Sequence, residues 1–190
     1  MPKVRKNLIS ERQKKQETGI VIRQDIYENQ ANKVFLAIGS NLGDRLRNIE
    51  LAKIMLSDNR IKILKSSSFY ETLSWPNIKN PKFLNVVLEI ETNLQPLNLL
   101  DLCKKIEKSL GRKKSKKNSP RVCDIDILDY GKRNENNGIN LPHPRMHQRN
   151  FVLIPLFEIS KKWTHPKSKD HIKTLILKLS KKDITSIKQI

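Results

Sequence analysis

The sequence of residues 117–130 is Lys-Asn-Ser-Pro-Arg-Val-Cys-Asp-Ile-Asp-Ile-Leu-Asp-Tyr. Apolar residues alternate with aspartates from 123 to 127, which is the period-two pattern of a half-buried strand. Side chains two positions apart on a strand share a face. Asp124 and Asp126 therefore stand side by side, with Cα atoms about 6.6 Å apart at a rise of about 3.3 Å per residue. We predict a strand that presents an acidic pair on one face.

The acidic pair lies next to many basic side chains. Two carboxylates held this close repel each other unless a cation or a proton is shared between them. Arg121 and the basic residues of 112–117 come just before the pair, and magnesium takes oxygen ligands while keeping positions open for substrate phosphates. The combination indicates a metal–triphosphate site. The alternative is an Asp-Ile-Asp segment on a solvated strand face.

Composition sets the size of the protein and the charge of its partners. A chain of 190 residues is long enough for one good-sized domain with its own core. Charged residues make up 30% of the chain and the formal net charge is +19. A balance this basic favours anionic partners, which include nucleotides, nucleic acid and acidic membrane surfaces, but it does not choose among them.

Cysteine count and hydropathy bear on the compartment. Cys103 and Cys123 are too few for a disulfide framework, and both fall in apolar patterns, so buried reduced thiols are expected. No apolar run approaches about 18 residues, so no transmembrane helix is predicted. The N-terminus has no hydrophobic segment of the secretory type. These features predict a cytoplasmic protein.

The chain divides into a polar start and one patterned domain. Residues 1–33 are polar and weakly patterned, which predicts a poorly ordered extension outside the core, and residues 34–190 are expected to form a single domain. The patterns of that domain predict, in order, a strand at 34–38, a helix ending near 56, strands at 61–70 and 82–92, a helix from about 96 to Gly111, the acidic strand, and a C-terminal helical part.

This order of elements predicts the ferredoxin-like split βαβ arrangement. The predicted fold class is therefore α+β, with an antiparallel sheet, helices packed on it and an appended C-terminal helical part. The same topology admits a basic RNA-binding domain, which needs exposed aromatic residues on the central strands and a motif such as Lys-Gly-Phe-Gly-Phe. The strands offer Phe35 and Phe83 but no such motif.

The two helices of the predicted sandwich carry ordinary signals. Asn41 follows the first strand and is predicted to cap the first helix. Lys104 and Glu107 share a face of the second helix, where such a pair is usually solvated surface. The chain has neither a Walker A motif nor a dinucleotide glycine fingerprint, so any nucleotide must be held in another way.

Two further segments carry side chains suited to ligand binding. Phe83 and Asn85 are two positions apart on one strand, where they could stack on and hydrogen-bond a flat heterocycle. A half-exposed strand face with an incidental amide is the simpler interpretation. Residues 141–151 hold two histidines and two arginines among prolines, and this cluster suits phosphate better than metal because magnesium avoids imidazole.

Taken together, several short motifs resemble those of the 6-hydroxymethyl-7,8-dihydropterin pyrophosphokinases of folate biosynthesis. The resemblance covers roughly Val34 to Ile159, and its specificity comes from the order and spacing of the motifs. They are 37–44 (Ala-Ile-Gly-Ser-Asn-Leu-Gly-Asp), 67–72 (Ser-Ser-Phe-Tyr-Glu-Thr), 83–85 (Phe-Leu-Asn), 106–112 (Ile-Glu-Lys-Ser-Leu-Gly-Arg), 120–127 (Pro-Arg-Val-Cys-Asp-Ile-Asp-Ile) and 142–151 (Pro-His-Pro-Arg-Met-His-Gln-Arg-Asn-Phe).

The resemblance implies a reaction and three sets of site residues. ATP would give its terminal diphosphate to the hydroxymethyl oxygen of the pterin and release AMP, with two magnesium ions as cofactors. The implied catalytic residues are Asp124, Asp126, Arg112 and Arg121, of which the two aspartates bind the metals. The implied ATP-binding residues are Lys104, Glu107, Lys114, Arg121, Ile127, Asn140, His143, His147 and Arg149. The implied pterin-binding residues are Thr72, Leu73, Trp75, Phe83, Asn85 and Phe151.

The resemblance also implies what the protein does not need. Its partners are expected to be the two small-molecule substrates, with no nucleic acid and no membrane, and a monomer is expected. Loops 73–81 and 112–119 would close over the substrates as lids. Ser119, Lys114 and Asn118 depart from residues common at these positions in the family, which puts the strength or timing of lid closure in doubt.

Overall fold

The structure is a computed structural model that describes residues 31–113 and 118–190. Within them the first strand begins at Asn32, two residues before its predicted start. Residues 1–30 lie outside the described residues, so the predicted extension stays a prediction. The elements are β1 (Asn32–Ser40), α1 (Arg45–Asp58), β2 (Lys62–Ser66), β3 (Tyr70–Thr72), β4 (Phe83–Thr92), α2 (Pro96–Ser109), β5 (Asp124–Tyr130), a 3₁₀ turn (Met146–Gln148), α3 (Asn150–Ile159), α4 (Ile172–Leu177), α5 (Lys181–Thr185) and β6 (Lys188–Gln189).

The strands form one antiparallel sheet in the order β5-β1-β4-β3-β6, and β2 pairs with β4 beside β3. β4 therefore lies between β1 and the two strands that follow α1, which is the split βαβ topology predicted from the sequence. The predicted α+β fold class is confirmed. The predicted strand at 61–70 is two strands, because the Ser67 side chain accepts a hydrogen bond from Val87 N at 3.0 Å and so replaces a backbone partner.

Apolar clusters cover both faces of the sheet. On one face, α1 and α2 pack on the alternating apolar residues of β1, β4 and β5. On the other face, α3 and α4 pack on Phe35, Val87 and Leu128. Each large side chain that is fully buried contributes about 1.5–3 kcal/mol. The C-terminal part is therefore part of the packed domain and closes the sheet into three layers.

A bulge in β5 sends two successive side chains toward the second cluster. Phe35 pairs with Asp129 and the next residue of β1 pairs with Ile127, so Leu128 is the extra residue. Leu128 packs in the second cluster, and buried Asp129 accepts a hydrogen bond from Trp163 Nε1 at 2.8 Å. The bulge thereby anchors the C-terminal part to the strand that carries the acidic pair.

Both helix ends near the acidic strand have specific caps. Asp44, and not Asn41, caps α1, because its carboxylate accepts a hydrogen bond from Arg47 N at 3.0 Å. α2 ends at Ser109 and is capped by Leu110, and Gly111 follows with a φ of +98°, the left-handed conformation that favours glycine. The next amide, Arg112 N, donates to Glu107 O at 3.0 Å, as in a Schellman motif. The glycine therefore turns the chain so that Arg112 lies beside the last turn of α2.

Among the described residues, no helix combines the length and the apolar character needed to cross a bilayer.

Candidate active site

One row of residues crosses the sheet at the ends of its central strands. Gly39 of β1 pairs with Asp124 of β5 on one side and with Asn85 of β4 on the other, and Asn85 pairs in turn with Tyr70 of β3. Side chains of directly paired residues point to the same face of an antiparallel sheet. The carboxylate of Asp124 and the amide of Asn85 therefore stand on one face, with a residue that has no side chain between them.

Two arginines hold Asp124. Arg112 Nη1 lies 2.7 Å from Asp124 Oδ1, and Arg121 Nη1 lies 2.9 Å from Asp124 Oδ2. Burial alone would lower the pKa of Arg112. The negative charges of Asp124 and Glu107 raise this pKa by more than burial lowers it, so the net shift is upward. Arg112 is therefore a permanent cation at the end of β5, positioned by the cap of α2.

The second acid has a different pair of basic neighbours. Arg149 Nη1 lies 3.1 Å from Asp126 Oδ2, and His143 Nε2 lies 3.7 Å from the same oxygen. Burial lowers the pKa of His143, against the charge of Asp126, which raises it. His143 and Arg149 come from the segment around the 3₁₀ turn. The basic partners of Asp126 therefore come from a different part of the chain than those of Asp124, which precede β5.

Glu107 is buried, and the prediction that it lies on solvated surface is wrong. Its exposed fraction is 6%. Its carboxylate accepts a hydrogen bond from Ile125 N at 2.7 Å and forms an ion pair with Arg112. Burial raises the pKa of Glu107, although the Ile125 N–H and Arg112 oppose the shift. The residue ties α2 to β5 between the two aspartates. Lys104, its predicted companion, is exposed.

The remaining residues implied for ATP differ in burial and in their position in the fold. Ile127 is buried under α2, and Asn140 is exposed in the connection after β5. His147 contacts His165, with ring centroids 5.7 Å apart, and lines a surface cavity of about 680 Å³ whose lining residues do not include Asp124 or Asp126. Lys114 lies outside the described residues.

The residues implied for the pterin gather around the amide end of the row. Asn85 is 5% exposed, and its Nδ2 donates to Thr72 Oγ1 at 3.0 Å and to Tyr70 O at 3.3 Å. Phe83, on the same strand face, is half-buried. These contacts fix the orientation of the amide toward the gap above Gly39.

Phe151 and the first lid loop complete the implied set. Phe151 is half-buried, and the guanidinium of Arg149 lies 5.4 Å from its ring centroid. The loop after β3 carries Leu73, which is 43% exposed, and Trp75, which is 73% exposed. Trp75 in this loop is therefore exposed to solvent, whereas the ring of Phe151 lies beside Arg149, the ion-pair partner of Asp126.

Asn41 lies beside the candidate site, a position that its sequence pattern did not indicate. Its side chain is 2% exposed and lies between the loop after β1, the segment before β5 and the loop after β3. The only local signal was its position directly after a strand, which equally suits a helix cap. Its contacts depend on residues up to 80 positions away, and no local pattern reports them.

Comparisons with known proteins assign the chain to a family. The family model for 7,8-dihydro-6-hydroxymethylpterin-pyrophosphokinase matches residues 35–161. The 2-amino-4-hydroxy-6-hydroxymethyldihydropteridine pyrophosphokinase of Bacillus subtilis is 41% identical over 130 residues, which are 67% of this chain and 78% of that protein. The chain belongs to this pyrophosphokinase family. The resemblance inferred from the motifs is thereby confirmed.

Other members of the pyrophosphokinase family are parts of longer proteins. The folic acid synthesis protein fol1 of Pneumocystis carinii is 41% identical over 134 residues, but this chain spans only 18% of its length. A mitochondrial folate synthesis bifunctional protein of Pisum sativum is 38% identical, and the chain spans 26% of it. A solved Plasmodium falciparum HPPK-DHPS structure, the A437G form with pteroate, aligns with a TM-score of 0.67 at 16% identity over 86% of this chain and 47% of that one. The structural likeness supports the fold.

Proposed function

We propose that this chain transfers the terminal diphosphate of ATP to the hydroxymethyl oxygen of 6-hydroxymethyl-7,8-dihydropterin and releases AMP. The single observation that carries the proposal is the row across the sheet, in which Asp124 and Asn85 face each other across Gly39. Asp124, which would bind the metal–triphosphate complex, and Asn85, which would bind the pterin, are thereby fixed on one face of the sheet. Positioning of this kind is the main source of rate in phosphoryl-type transfer.

The donor set suits magnesium bound together with a triphosphate. Among residues 31–113 and 118–190, no three His, Cys, Asp or Glu side chains converge as a complete metal site. Magnesium does not need one, because it is usually held by one or two carboxylates while substrate phosphates and water complete its shell. Asp124 and Asp126 would hold the ions. When bound, magnesium neutralises phosphate charge and favours ionisation of the attacking hydroxyl.

The arginines around the acids supply the phosphate contacts. Arg112, Arg121 and Arg149 pair with Asp124 or Asp126 in this structure. A guanidinium binds phosphate oxygens in a fixed, often bidentate geometry. With ATP bound, the same guanidinium groups would contact the triphosphate and stabilise the negative charge of the transition state.

The opposite end of the row suits a flat bicyclic ring. Two strand spacings of about 4.8 Å, roughly 10 Å in all, separate the β4 and β5 backbones, and the face above Gly39 between them is the proposed pterin slot. Asn85 offers an amide to the hydrogen-bonding edge of the pterin, and Phe83 and Phe151 offer ring faces for stacking. The hydroxymethyl group of a ring bound there points toward the acids.

The transfer step follows from this arrangement. The hydroxymethyl oxygen attacks the β-phosphorus, a new oxygen–phosphorus bond forms, and the bond from the β-phosphorus to the α,β-bridging oxygen breaks. AMP leaves with that oxygen, and the hydroxyl proton passes to solvent. Arg112 and Arg121 hold the diphosphate in place, while loops 73–81 and 112–119 would exclude water that could accept it instead.

The proposal is tested by measuring AMP release from ATP. Release is expected only when the hydroxymethyl dihydropterin and magnesium are both present, and the pterin product should carry two phosphates. Release of AMP without pterin, or pterin-dependent release of ADP, would contradict the proposed reaction. Binding to RNA with no such turnover would favour the alternative, although Phe35, one of the two aromatic residues it requires, is buried in the core.

Three expectations remain predictions alongside the proposed reaction. They are a monomeric state, a cytoplasmic location and the absence of nucleic-acid and membrane partners. A Plasmodium falciparum HPPK-DHPS structure described with pterin and p-hydrobenzoate supports a small-molecule pterin as substrate for this chain as well.

A further inference from the structure

Asn41 lies between two loops that belong to opposite ends of the proposed site. It is the first residue after β1 and its side chain is almost fully buried, with an exposed fraction of 2%. A buried amide has up to four hydrogen-bonding positions, and leaving any of them unmet is costly. The partners of this amide therefore indicate what the residue does.

One side of Asn41 fixes the segment that carries Arg121. Arg121 N donates to Asn41 Oδ1 at 2.7 Å, and Asn41 N donates to Arg121 O at 3.1 Å. The backbone of Arg121 is thus held on both its donor and its acceptor. Because the Arg121 guanidinium lies 2.9 Å from Asp124, the position of this backbone sets where the cation reaches the acid.

The other side of Asn41 fixes the base of the loop that carries Trp75. Asn41 Nδ2 donates to Ser74 Oγ at 3.2 Å and to Pro81 O at 3.0 Å. Ser74 Oγ also donates to Pro81 O at 2.5 Å. Ser74 and Pro81 bracket the exposed part of the loop, so these bonds close its two ends against Asn41.

We propose that Asn41 is a positioning residue that couples the loop carrying Trp75 to the segment carrying Arg121. The proposal rests on the proposed function, in which the loop covers the pterin and Arg121 contacts the triphosphate. The buried Asn41 amide then holds both the loop that covers the pterin and the segment that contacts the triphosphate. A displacement of the loop base on pterin binding reaches the phosphate-binding cation through a single side chain.

The two halves of the coupling can be separated by substitution. Asn41→Asp keeps the oxygen that accepts from Arg121 N but loses the donor to Ser74 and Pro81. It is expected to raise the KM for pterin about tenfold while the KM for ATP changes less than about twofold. Asn41→Ala loses both halves and is expected to raise both KM values and to lower kcat about tenfold.

Hydrogen exchange provides a readout that does not depend on turnover. In the substrate-free protein, Asn41→Asp is expected to speed exchange in a peptide covering residues 74–82 and to leave the peptide containing Arg121 unchanged, whereas Asn41→Ala speeds both. Asn48→Ala is the matched control, because Asn48 bonds Ser40 Oγ and Leu42 O near the same loop but contacts neither partner of the coupling. It should leave both peptides and both KM values within about twofold of wild type.

Several outcomes would overturn the coupling. They are wild-type pterin KM and wild-type exchange in Asn41→Asp, or the same losses in Asn48→Ala as in Asn41→Ala. If the Asn41 variants fail to fold, Ser74→Ala removes the same loop contact from its other side and must raise the pterin KM. A wild-type enzyme without AMP release would refute the proposed function, while the exchange experiment would still decide the coupling.

Discussion

Asn85 and Asp124 lie at the same level of the sheet, each paired with Gly39 from an opposite side. The gap between them depends on the glycine. A Cβ at position 39 would lie 3.1 Å from Asn85 Oδ1 and 3.4 Å from Phe83 Cδ1, which is tighter than most contacts of this kind. The row therefore combines a fixed carboxylate, a fixed amide and a glycine that leaves room for the Asn85 and Phe83 side chains, and each part can be altered alone.

Replacing Asn85 should impair pterin binding more than ATP binding. Asn85→Ala removes the amide and leaves Thr72 Oγ1 without its donor, and it is expected to raise the KM for pterin about tenfold or more with a smaller change for ATP. Steady-state kinetics with each substrate varied in turn measures this. Asn98→Ala, on the exposed surface of α2, is the control. An unchanged pterin KM in Asn85→Ala would argue against the pterin slot.

Removing Asp126 should abolish turnover while the fold remains. Asp126→Ala is expected to lower kcat more than about a hundredfold, because the site loses one of two proposed metal ligands and Arg149 loses its ion-pair partner. Circular dichroism should show a wild-type spectrum, since Asp126 is a partly exposed residue outside both apolar clusters. Asp101→Ala on exposed helix surface is the control. Near-normal turnover in Asp126→Ala would exclude the metal role.

Much of the sheet was predictable because its signal is local. In β4, which the pattern of 82–92 predicted as a strand, the alternate residues Leu84, Val86, Leu88 and Ile90 all pack in one apolar cluster. The period of a strand depends only on its own backbone. The break between β2 and β3 was not predictable, because it depends on a hydrogen bond that Val87 N, 20 residues further along the chain in β4, donates to Ser67 Oγ.

The two buried polar residues near the acids show where local reasoning ends. Asn41 and Glu107 each had a simple local role, as a helix cap and as solvated helix surface. Their true partners are backbone amides of Arg121 and Ile125, which reach them only after the sheet has formed. A helical pattern reports which face is apolar, but it does not report that a polar residue on another face will be covered by a strand.

Substituting Glu107 should separate its hydrogen bond from its charge. Glu107→Gln keeps an oxygen for Ile125 N but loses the ion pair with Arg112, and it is expected to raise the KM for ATP about tenfold because Arg112 is left with Asp124 alone. Glu107→Ala also leaves the buried Ile125 N–H unmet and should lower the free energy of unfolding by a further 1–3 kcal/mol, roughly.

Substrate kinetics and urea unfolding of both variants measure these effects. Glu50→Gln is the control, because it removes a half-buried i,i+3 ion pair with Lys53 on the surface of α1, where such helical pairs contribute about 0–1 kcal/mol. Equal stability of Glu107→Gln and Glu107→Ala would show that the bond to Ile125 N is not important for folding.

Acidification should destabilise the protein partly through His165. The residue is 6% exposed, and its Nδ1 accepts a hydrogen bond from Ser168 N at 3.1 Å, which requires a neutral ring. Burial lowers the pKa of His165 from its usual 6.5, and His147 lowers it further against Asp129 and Asp170. A folded pKa below the unfolded value gives stability that is present above pH 6.5 and is lost as the pH falls toward the folded pKa.

Thermal unfolding at about pH 7.5 and about pH 5.5 checks the sign of this effect. The Tm of the wild type should fall between the two by about 2–4 °C more than that of His165→Asn, whose amide cannot be protonated but can still accept from Ser168 N. Asn98→Ala, which changes an exposed side chain of α2 that does not titrate, should retain the wild-type difference. If His165→Asn loses as much Tm on acidification as the wild type, the pH dependence arises elsewhere, because protonation of His165 is then not coupled to unfolding.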